Sequence, residues 1–395
     1  MADVKITDLS AYTAPVPATD VLEIVDVANN TSKKVTAKVL TYASEKTTLV
    51  AGNNVTLTSN DTNQTITIAS TASDYMSWAT DTAQIGFSVN GGVGLLPKPH
   101  AISFDVGTRT FQITLANGYT SYGVWVQGTR YIINNTRSVT IPNVSNIYYI
   151  SYIVFDGVLL LIQSTTPYVL ESQAPVAIVY WNADNSGSAP YLADERHGVI
   201  WSWREHEYHH LCDGTRWAGG FVISGVFDGT GNLPTDAQIG LTNGVIYDED
   251  LRFNITGDVA GSLMTSVMYR LGNAWVKDAL SLYPYKLNIS TAAYNLNTGG
   301  VWSLADLGAN SYGVMFIIAT NDVNTPLISL MGQAIYNNAG QAEAVTWQSL
   351  NTTGLPFTEM RVLYKIVFIT NGSYANAVKV AQRSYVDYRG TSLVA

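Results

Sequence analysis

The chain has 395 residues, 47% of them hydrophobic, and only 13% carry a charge, against about 25% in an average globular protein. This composition supplies enough apolar material for two or three folded domains and gives no indication of disorder. The net charge of −9 argues against nucleic-acid binding, because neutralising phosphates requires clustered Lys and Arg, and the 21 basic residues form no run.

The sequence predicts neither an internal disulfide nor a membrane segment. Cys212 is the single cysteine, so stability must come from packing or assembly. The opening MADVKITDLS lacks a basic region followed by an apolar run, and no stretch approaches the roughly 18 apolar residues of a membrane helix. We therefore expect a protein made in the cytoplasm, without an export signal and without membrane insertion.

Residues 1–45 predict a small attachment module. Apolar Val21, Ile24 and Val25 precede the turn-prone ANNTS, and the chain returns through KKVT, which is the pattern of a β-hairpin. Thr36 is expected to cap a short helix that follows. A unit of this size cannot bury a core of its own, so its apolar side is expected to dock on another copy of the chain or on another protein.

Residues 46–74 predict a second hairpin, in AGNNVTLTSNDTNQTITIAS. Val55 and Leu57 alternate with threonines, and so do Ile66 and Ile68 after the turn, so that one face is apolar and the other carries hydroxyls. An isolated two-stranded hairpin is marginal in water, but three copies around an axis would enclose these aliphatic side chains without a free edge. The interpretation is a trimeric stalk; the alternative is a hairpin packed on the next domain of its own chain.

Short β runs broken by turn residues fill residues 75–190 and return from 221 to 395. Examples are AISFDV, TFQITLA, PVAIVYW, YGVMFIIAT and MRVLYKIVFITNG. They predict antiparallel β-sandwich domains. No fixed internal period indicates a solenoid, and neither a P-loop nor a GxGxxG after a strand indicates a nucleotide site.

Four of the five histidines lie in DERHGVIWSWREHEYHHLCDG, within residues 191–220. His206, Glu207 and His210 match H-E-x-x-H, which in zinc proteases places two histidine ligands on one helix face with the glutamate as base. The segment SWREHEYHHLC has no proline or glycine, and Gly214 follows it, so a helix is expected here.

A protease would need a third ligand, which the sequence does not readily supply. The remaining histidine is His100, and none follows His210. The carboxylates of Asp248, Glu249 and Asp250 could substitute as ligands, but they lie in a turn-like segment without helical support. A second hypothesis is a metal held by His206 or His210 from several chains at a symmetry axis. The third is that these histidines pack and hydrogen-bond in a helical neck between two β domains, without metal or cofactor.

Carboxylates offer an alternative chemistry. Asp194 with Glu195, or the acidic residues at 248–250, could form the acid pair of a glycoside hydrolase, which needs two carboxyls about 5–10 Å apart. Acidic turns are more often solvated, and that is the expectation for both groups. Cys212 is expected to be a buried or half-buried free cysteine.

Several passages resemble the tail-fibre and related virion fibre proteins of tailed bacteriophages. They are, in chain order, KITDLSAYTAPVPATDVLEIVDVANNTSKKVTAKVL, AGNNVTLTSNDTNQTITIAS, VAIVYWNADNS with ADERHG, the H-x-Y-x-H of His206, Tyr208 and His210, DAQIGLTNGVIYDEDL, NDVNTPLISLMGQAIYNN, LPFTEM and YVDYRG. None is as specific as a catalytic signature, but together they touch most of the chain. Long fibres differ in having collagen-like or extended helical shafts.

The resemblance implies a homotrimer located on the virion. Its N-terminus would attach to other phage tail or virion proteins, and its distal β domains would contact a host glycan or envelope protein, with Trp and Tyr as stacking platforms. In the neck it leaves His197, His206, Tyr208 and His210 as structural positions.

The predicted architecture is therefore mainly β, assembled as an elongated homotrimer. Its parts in order are an attachment module, a hairpin stalk, a middle β domain, a His/Trp-rich helical neck and a C-terminal β domain, at 1–45, 46–74, 75–190, 191–220 and 221–395. The predicted function is host attachment by a tail fibre. The alternatives are a fibre-borne polysaccharide depolymerase that uses carboxylates, and an architectural head, collar or tail fibre that binds no receptor.

Overall fold

The computed structural model describes residues 21–26, 31–36, 55–60, 65–70, 99–185, 187–197, 202–357 and 359–391. The chain divides into two compact units, Met1–Ser73 and Asp74–Ala395. The boundaries of the five predicted domains stay predictions.

The first unit contains two antiparallel hairpins. Its strands are β1 (Val21–Asp26), β2 (Thr31–Thr36), β3 (Val55–Asn60) and β4 (Thr65–Ser70), and β1 pairs with β2 and β3 with β4. Both predicted hairpins are confirmed. The helix predicted after Thr36 lies outside the described residues.

The register of β3 and β4 sets which residues share a face of the hairpin. Leu57 lies directly opposite Ile68, and Val55 and Ile66 each lie two positions along their strand from this pair. Because successive residues of a strand alternate between faces, all four aliphatic residues occupy one face, and the intervening positions belong to the other.

The second unit is built almost entirely of strands. They are β5 (His100–Asp105), β6 (Thr110–Leu115), β7 (Tyr122–Val126), β8 (Thr129–Ile133), β9 (Arg137–Thr140), β10 (Asn146–Phe155), β11 (Val158–Ser164), β12 (Ala174–Trp181), β13 (Tyr191–Asp194), β14 (Thr215–Gly220), β15 (Ile223–Gly225), β16 (Ile239–Leu241), β17 (Gly244–Asp248), β18 (Leu251–Ile255), β19 (Thr265–Leu271), β20 (Ala274–Ser281), β21 (Ala293–Thr298), β22 (Val301–Asp306), β23 (Ser311–Thr320), β24 (Leu327–Met331), β25 (Met360–Thr370) and β26 (Val380–Asp387). The described helices are α1 (Trp203–Cys212) and α2 (Ala339–Glu343), with 3₁₀ turns at Pro234–Ala237 and Trp347–Ser349. Neither α-helix reaches the length and hydropathy of a bilayer-spanning segment.

These strands form sheets of two to six strands. The largest has the order β20-β19-β24-β23-β25-β26; the others are β11-β10-β12-β13, β14-β17-β18, β5-β6-β9, β7-β8, β15-β16 and β21-β22. Every described ladder is antiparallel except β19 with β24. The prediction of a mainly β chain with antiparallel sheets is confirmed.

Strand β12 is apolar along its length because both of its faces are covered. Val179 belongs to a core cluster with Phe111 and Ile150, whereas its neighbour Ile178 belongs to a second cluster with Phe316 of the six-stranded sheet. The run PVAIVYW is thus a strand between two cores rather than an alternating surface strand.

The six-stranded sheet is likewise buried on both faces. In β23, Phe316 and Ile318 belong to the cluster shared with β12, whereas Met315 and Ile317 belong to a third cluster that includes Ile246 of β17. Alternate residues of one strand therefore support separate cores. The ends of this sheet are consequently surrounded by other elements of the unit.

A buried ion pair links this sheet to β13. Lys277 of β20 pairs with Asp322, which follows β23, and its Nζ also donates to the carbonyl of Pro190 at 3.1 Å. The two side chains are 1% and 0% exposed. A charge that loses its partner here has no access to water.

Replacing Lys277 by Met should lower the free energy of unfolding by about 3–5 kcal/mol, because it leaves the Asp322 carboxylate buried and unpaired. Lys286→Met is a matched control, since Lys286 pairs with Asp278 while their side chains remain 31% and 23% exposed. Its expected cost is about 0–1 kcal/mol. Urea unfolding of both variants checks this; equal losses would contradict it.

Candidate functional site

Five chain segments converge at one end of the six-stranded sheet. Asn321 directly follows β23 and Glu359 directly precedes β25, and the two strands are paired at Thr320 and Met360. The end of β13 joins them through a bridge between Ala193 and Asp322. The turn between β17 and β18 and the helix α1 complete the site.

Helix α1 begins with a capping box. The hydroxyl of Ser202 accepts from the backbone N–H of Glu205 at 3.3 Å, and the Glu205 carboxylate accepts from the Ser202 N–H at 3.0 Å. Gly214, with a φ of +53°, lies just past its end. The helix predicted from SWREHEYHHLC is confirmed.

The two-residue turn between β17 and β18 carries Glu249 into the site. Asp248 and Leu251 are the last pair of the hairpin, and Glu249 between them has a φ of +52°, a left-handed conformation that is uncommon outside glycine. Its side chain is nevertheless 0% exposed. Strained residues of this kind persist where the surrounding structure holds them, and they concentrate at functional sites.

Three histidines surround the Glu249 carboxylate. Nδ1 of His210 lies 2.8 Å from Oε1, Nε2 of His206 lies 3.2 Å from Oε2, and Nδ1 of His197 lies 3.7 Å from Oε2. The same Nδ1 of His197 is 2.5 Å from Oδ1 of Asp250. Residues from α1, from the segment after β13 and from one turn thus meet around a single carboxylate.

This arrangement has the donor atoms of a metal site. One ligand atom from each of His197, His206 and Glu249 lies within 4.8 Å of the others. Oε2 of Glu249 is buried and accepts no hydrogen bond. Two imidazoles and a carboxylate form a donor set that suits zinc and other divalent transition metals.

Beside the histidines lies a second group of acids, joined by Asn321. Its Nδ2 donates to Oε1 of Glu195 and to Oδ2 of Asp248, both at 3.0 Å. The Tyr191 hydroxyl donates to its Oδ1 at 2.5 Å, which fixes the orientation of the amide. All four residues are at most 2% exposed.

Burial changes the protonation of these acids. Burial and the nearby Glu359 raise the pKa of Glu195 to about 8. Burial, Glu359 and Glu195 raise the pKa of Asp248 well above its ordinary value. At neutral pH this part of the site therefore holds protons.

In the histidine part of the site, the pKa shifts favour the charged forms of Glu249, His197 and His210. Burial lowers the pKa of His197, but the hydrogen bond to Asp250 raises it to about 9, and the Glu249 carboxylate overcomes burial to raise the pKa of His210 to about 9 as well. Burial and His197 lower the pKa of His206. Burial raises the pKa of Glu249, but the adjacent His206 and His210 hold it well below its ordinary range.

The expectation of solvated acidic turns is wrong. Asp194, Glu195 and Asp248 are 5%, 2% and 1% exposed. The two groups, distant in sequence, lie against each other because β13 and the β17–β18 turn both end at the same edge of the packed unit. The sequence showed each acidic group but not the surface that covers it.

Asp194 has a structural partner. Nε and Nη2 of Arg196 lie 2.6 and 2.8 Å from the two oxygens of Asp194, and Nη1 donates to the carbonyl of His100 at 2.8 Å. This buried bidentate pair occupies the Asp194 carboxylate. His100 thereby joins the end of β13 to β5.

The H-E-x-x-H residues do not adopt the zinc-protease arrangement. His206 and His210 both face Glu249, but the group with metal-ligand spacing combines His206 with His197 and Glu249 rather than with His210, and Glu207 is exposed. Tyr208 is also exposed, at 61%, and its predicted structural role stays a prediction. Cys212, the last residue of α1, is exposed. The expectation of a buried or half-buried thiol is therefore wrong.

Sequence reasoning missed Glu359, Asn321 and Tyr191 as members of the site. Glu359 precedes a long apolar strand and Asn321 follows another, and neither stands in a recognisable motif. No local signal marks them, because their proximity follows from the pairing of β23 with β25.

These observations define a mainly β protein with a buried histidine–carboxylate cluster at one end of its central sheet. Comparisons with protein-family models, with curated proteins and with solved structures each found no match. The geometry of the cluster is therefore the basis for assigning its chemistry.

In chelator-treated protein, the free energy of unfolding should fall as the pH rises from about 6.5 to about 9. Unfolded His197 loses its proton near 6.5, whereas in the folded protein it keeps the proton up to about 9, so the folded state binds more protons in this window. Glu195, protonated up to about 8 in the folded state and only to 4.5 when unfolded, acts in the same direction. His197 alone contributes on the order of 3 kcal/mol.

Urea unfolding at several pH values measures this dependence. His197→Gln should reduce this dependence, and His210 and Glu195 should account for the part that remains. Leu211→Gln is the control and should leave the dependence unchanged, because Leu211 is 76% exposed on the same helix as His210 and carries no titratable group. A stability that stays level or rises over this window in the wild-type protein would refute the assignment.

Proposed function

We propose that this protein is a structural component of a tailed-bacteriophage virion, a trimeric tail fibre that attaches the particle to the host surface. Residues 1–45 dock on other tail or virion proteins, residues 46–74 form the stalk, and the β-rich remainder contacts a host glycan or envelope protein. The protein acts by binding.

The register of the β3–β4 hairpin carries this proposal. Val55, Leu57, Ile66 and Ile68 occupy one face of a ladder of twelve residues. A two-stranded hairpin gains too little burial to hold such a face by itself. Three copies that turn these faces toward a common axis form a closed core. A thin stalk can bury its apolar side chains in this way.

The composition and the fold of the second unit suit attachment to a surface. Only 13% of the residues are charged, and the chain has nine Trp and 24 Tyr. Rings with a polar edge stack on sugars and hydrogen-bond at wet interfaces. Three binding sites on one particle would convert weak individual contacts into firm attachment.

The burial of the acids favours binding over polysaccharide cleavage. A polymer has to reach a general acid and a general base, and Glu195 and Asp248 are at most 2% exposed. On the same sheet as Asp248, a cavity of about 390 Å³ is lined by residues that include Asn243 and Asn254, and its lining contains no carboxylate.

The purified protein should have the mass of three 42.8-kDa chains by light scattering. Leu57→Asp with Ile68→Asp places two charges opposite each other on the apolar face and should abolish the trimer. Thr58→Asp with Thr67→Asp is the matched control, since this pair is adjacent in register but on the other face.

A wild-type protein that stays monomeric at micromolar concentration would contradict the trimer. So would a Leu57→Asp/Ile68→Asp protein that still sediments as three chains. Loss of assembly in both double variants would show a general sensitivity to charge and would remove the argument from the hairpin face.

Free protein should compete with intact particles for adsorption to host cells, because both would occupy the same receptors. The measurement is the number of unadsorbed particles as the protein concentration rises, with the Leu57→Asp/Ile68→Asp protein expected to compete less because it has lost avidity. Absence of competition, with the protein located on particles by antibody labelling, would favour an architectural fibre that binds no receptor.

A further inference from the structure

We propose that His197, His206 and Glu249 bind one divalent transition-metal ion within each chain, with zinc as the preferred ion. The ion would lie between α1, the segment after β13 and the β17–β18 turn. This proposal concerns the body of the protein and does not depend on its attachment role.

The spacing of the donor atoms suits a tetrahedral ion. Zinc lies about 2.1 Å from nitrogen and oxygen ligands, so two ligands of a tetrahedral site are about 3.4 Å apart. Oε2 of Glu249 is 3.2 Å from Nε2 of His206 and 3.7 Å from Nδ1 of His197. The three ligand atoms all lie within 4.8 Å of one another, so a modest contraction of the cluster converts it into a coordination site.

The Glu249 carboxylate points to an ion that is part of the native site. Oε2 is buried without a hydrogen bond, although it belongs to a side chain that is 0% exposed. Its closest histidine contact, with Nε2 of His206 at 3.2 Å, is not an aligned hydrogen bond, so the buried charge is incompletely compensated. The left-handed backbone of Glu249 adds further strain, and coordination of a cation by Oε2 would offset both.

Neighbouring groups hold the ligands as outer-shell residues do in metal sites. Nδ1 of His210 lies 2.8 Å from the other oxygen of Glu249, which fixes the plane of the carboxylate. Oδ1 of Asp250 lies 2.5 Å from Nδ1 of His197. Binding of the ion at this nitrogen would displace the proton between these two atoms.

The donor types and the burial select the ion. Imidazole nitrogens favour zinc and its transition-metal neighbours, whereas calcium and magnesium prefer sites made wholly of oxygen. His206 is 3% exposed and the Glu249 side chain is 0% exposed. Such an enclosed position is typical of a structural zinc site rather than of one that admits substrate.

The site lies within a single chain. The ligand atoms of all three residues converge in one protomer, and buried His206 is not available to a neighbouring copy. This differs from the sequence-based hypothesis of an ion shared by several chains at a symmetry axis. The two arrangements predict different stoichiometries, one ion per chain against one ion per three chains.

The test is zinc binding by full-length protein that has been stripped with a chelator and dialysed against zinc. We expect one zinc per chain, with the affinity lowered at least about tenfold by His206→Gln and by Glu249→Gln. His209→Gln is the matched control because His209 is on the same helix outside the cluster, paired with Asp213, and it should bind zinc as the wild type does.

A second measurement uses the wild-type protein alone and so does not depend on whether the variants fold. Cobalt added to stripped wild-type protein should give the intense visible absorption of a tetrahedral ion, and zinc should abolish it. No bound zinc in the wild type, one zinc per three chains, or equal affinity in all folded variants would each overturn the proposal. None of these results contradicts the trimer or adsorption, so the two proposals fail separately.

Discussion

The structure of this end of the molecule depends on one buried carboxylate. An ionised Glu249 whose side chain is 0% exposed is tolerated only if positive or metal-bound partners replace its lost hydration. His206 and His210 supply that compensation from α1, and His197 supplies it from the segment after β13. Three parts of the chain are thereby held in one arrangement.

Two neighbouring groups of acids are kept in different protonation states by their surroundings. Glu195 and Asp248 lie among other acids and the Asn321 amide, so burial dominates and they hold protons. Glu249 lies among histidines, so the positive partners dominate and it is ionised. In enzymes such a division assigns an acid and a base. Here both groups are enclosed by the protein. The different protonation states therefore fix the geometry of the site, because each proton and each charge has a single position.

The parts of this structure set by neighbouring residues could be predicted from the sequence. Alternation of Val55 and Leu57 with threonines predicts the β3–β4 hairpin, and an unbroken helix-compatible segment before Gly214 predicts α1. The sequence also shows that four of the five histidines are concentrated in one short segment. Glu249 was open as one of three possible carboxylate ligands, but its place beside the histidines, and the membership of Glu359, could not be predicted, because they follow from a turn and from strand pairings between residues far apart in sequence. The burial of the acids was missed for the same reason.

This chain has no intrachain disulfide to stabilise its fold, since its one cysteine, Cys212, is exposed on α1. Cross-links of other kinds take that role. The buried Lys277–Asp322 pair joins β20 to the end of β23, and the Glu249 cluster joins α1 to the β17–β18 turn. A metal ion in that cluster would act as a disulfide does, since it closes a long loop of the unfolded chain between His197 and Glu249, and its binding free energy would add to folding. The cluster thus connects α1 and the segment after β13 to the β-rich body through groups that lie far apart in the sequence.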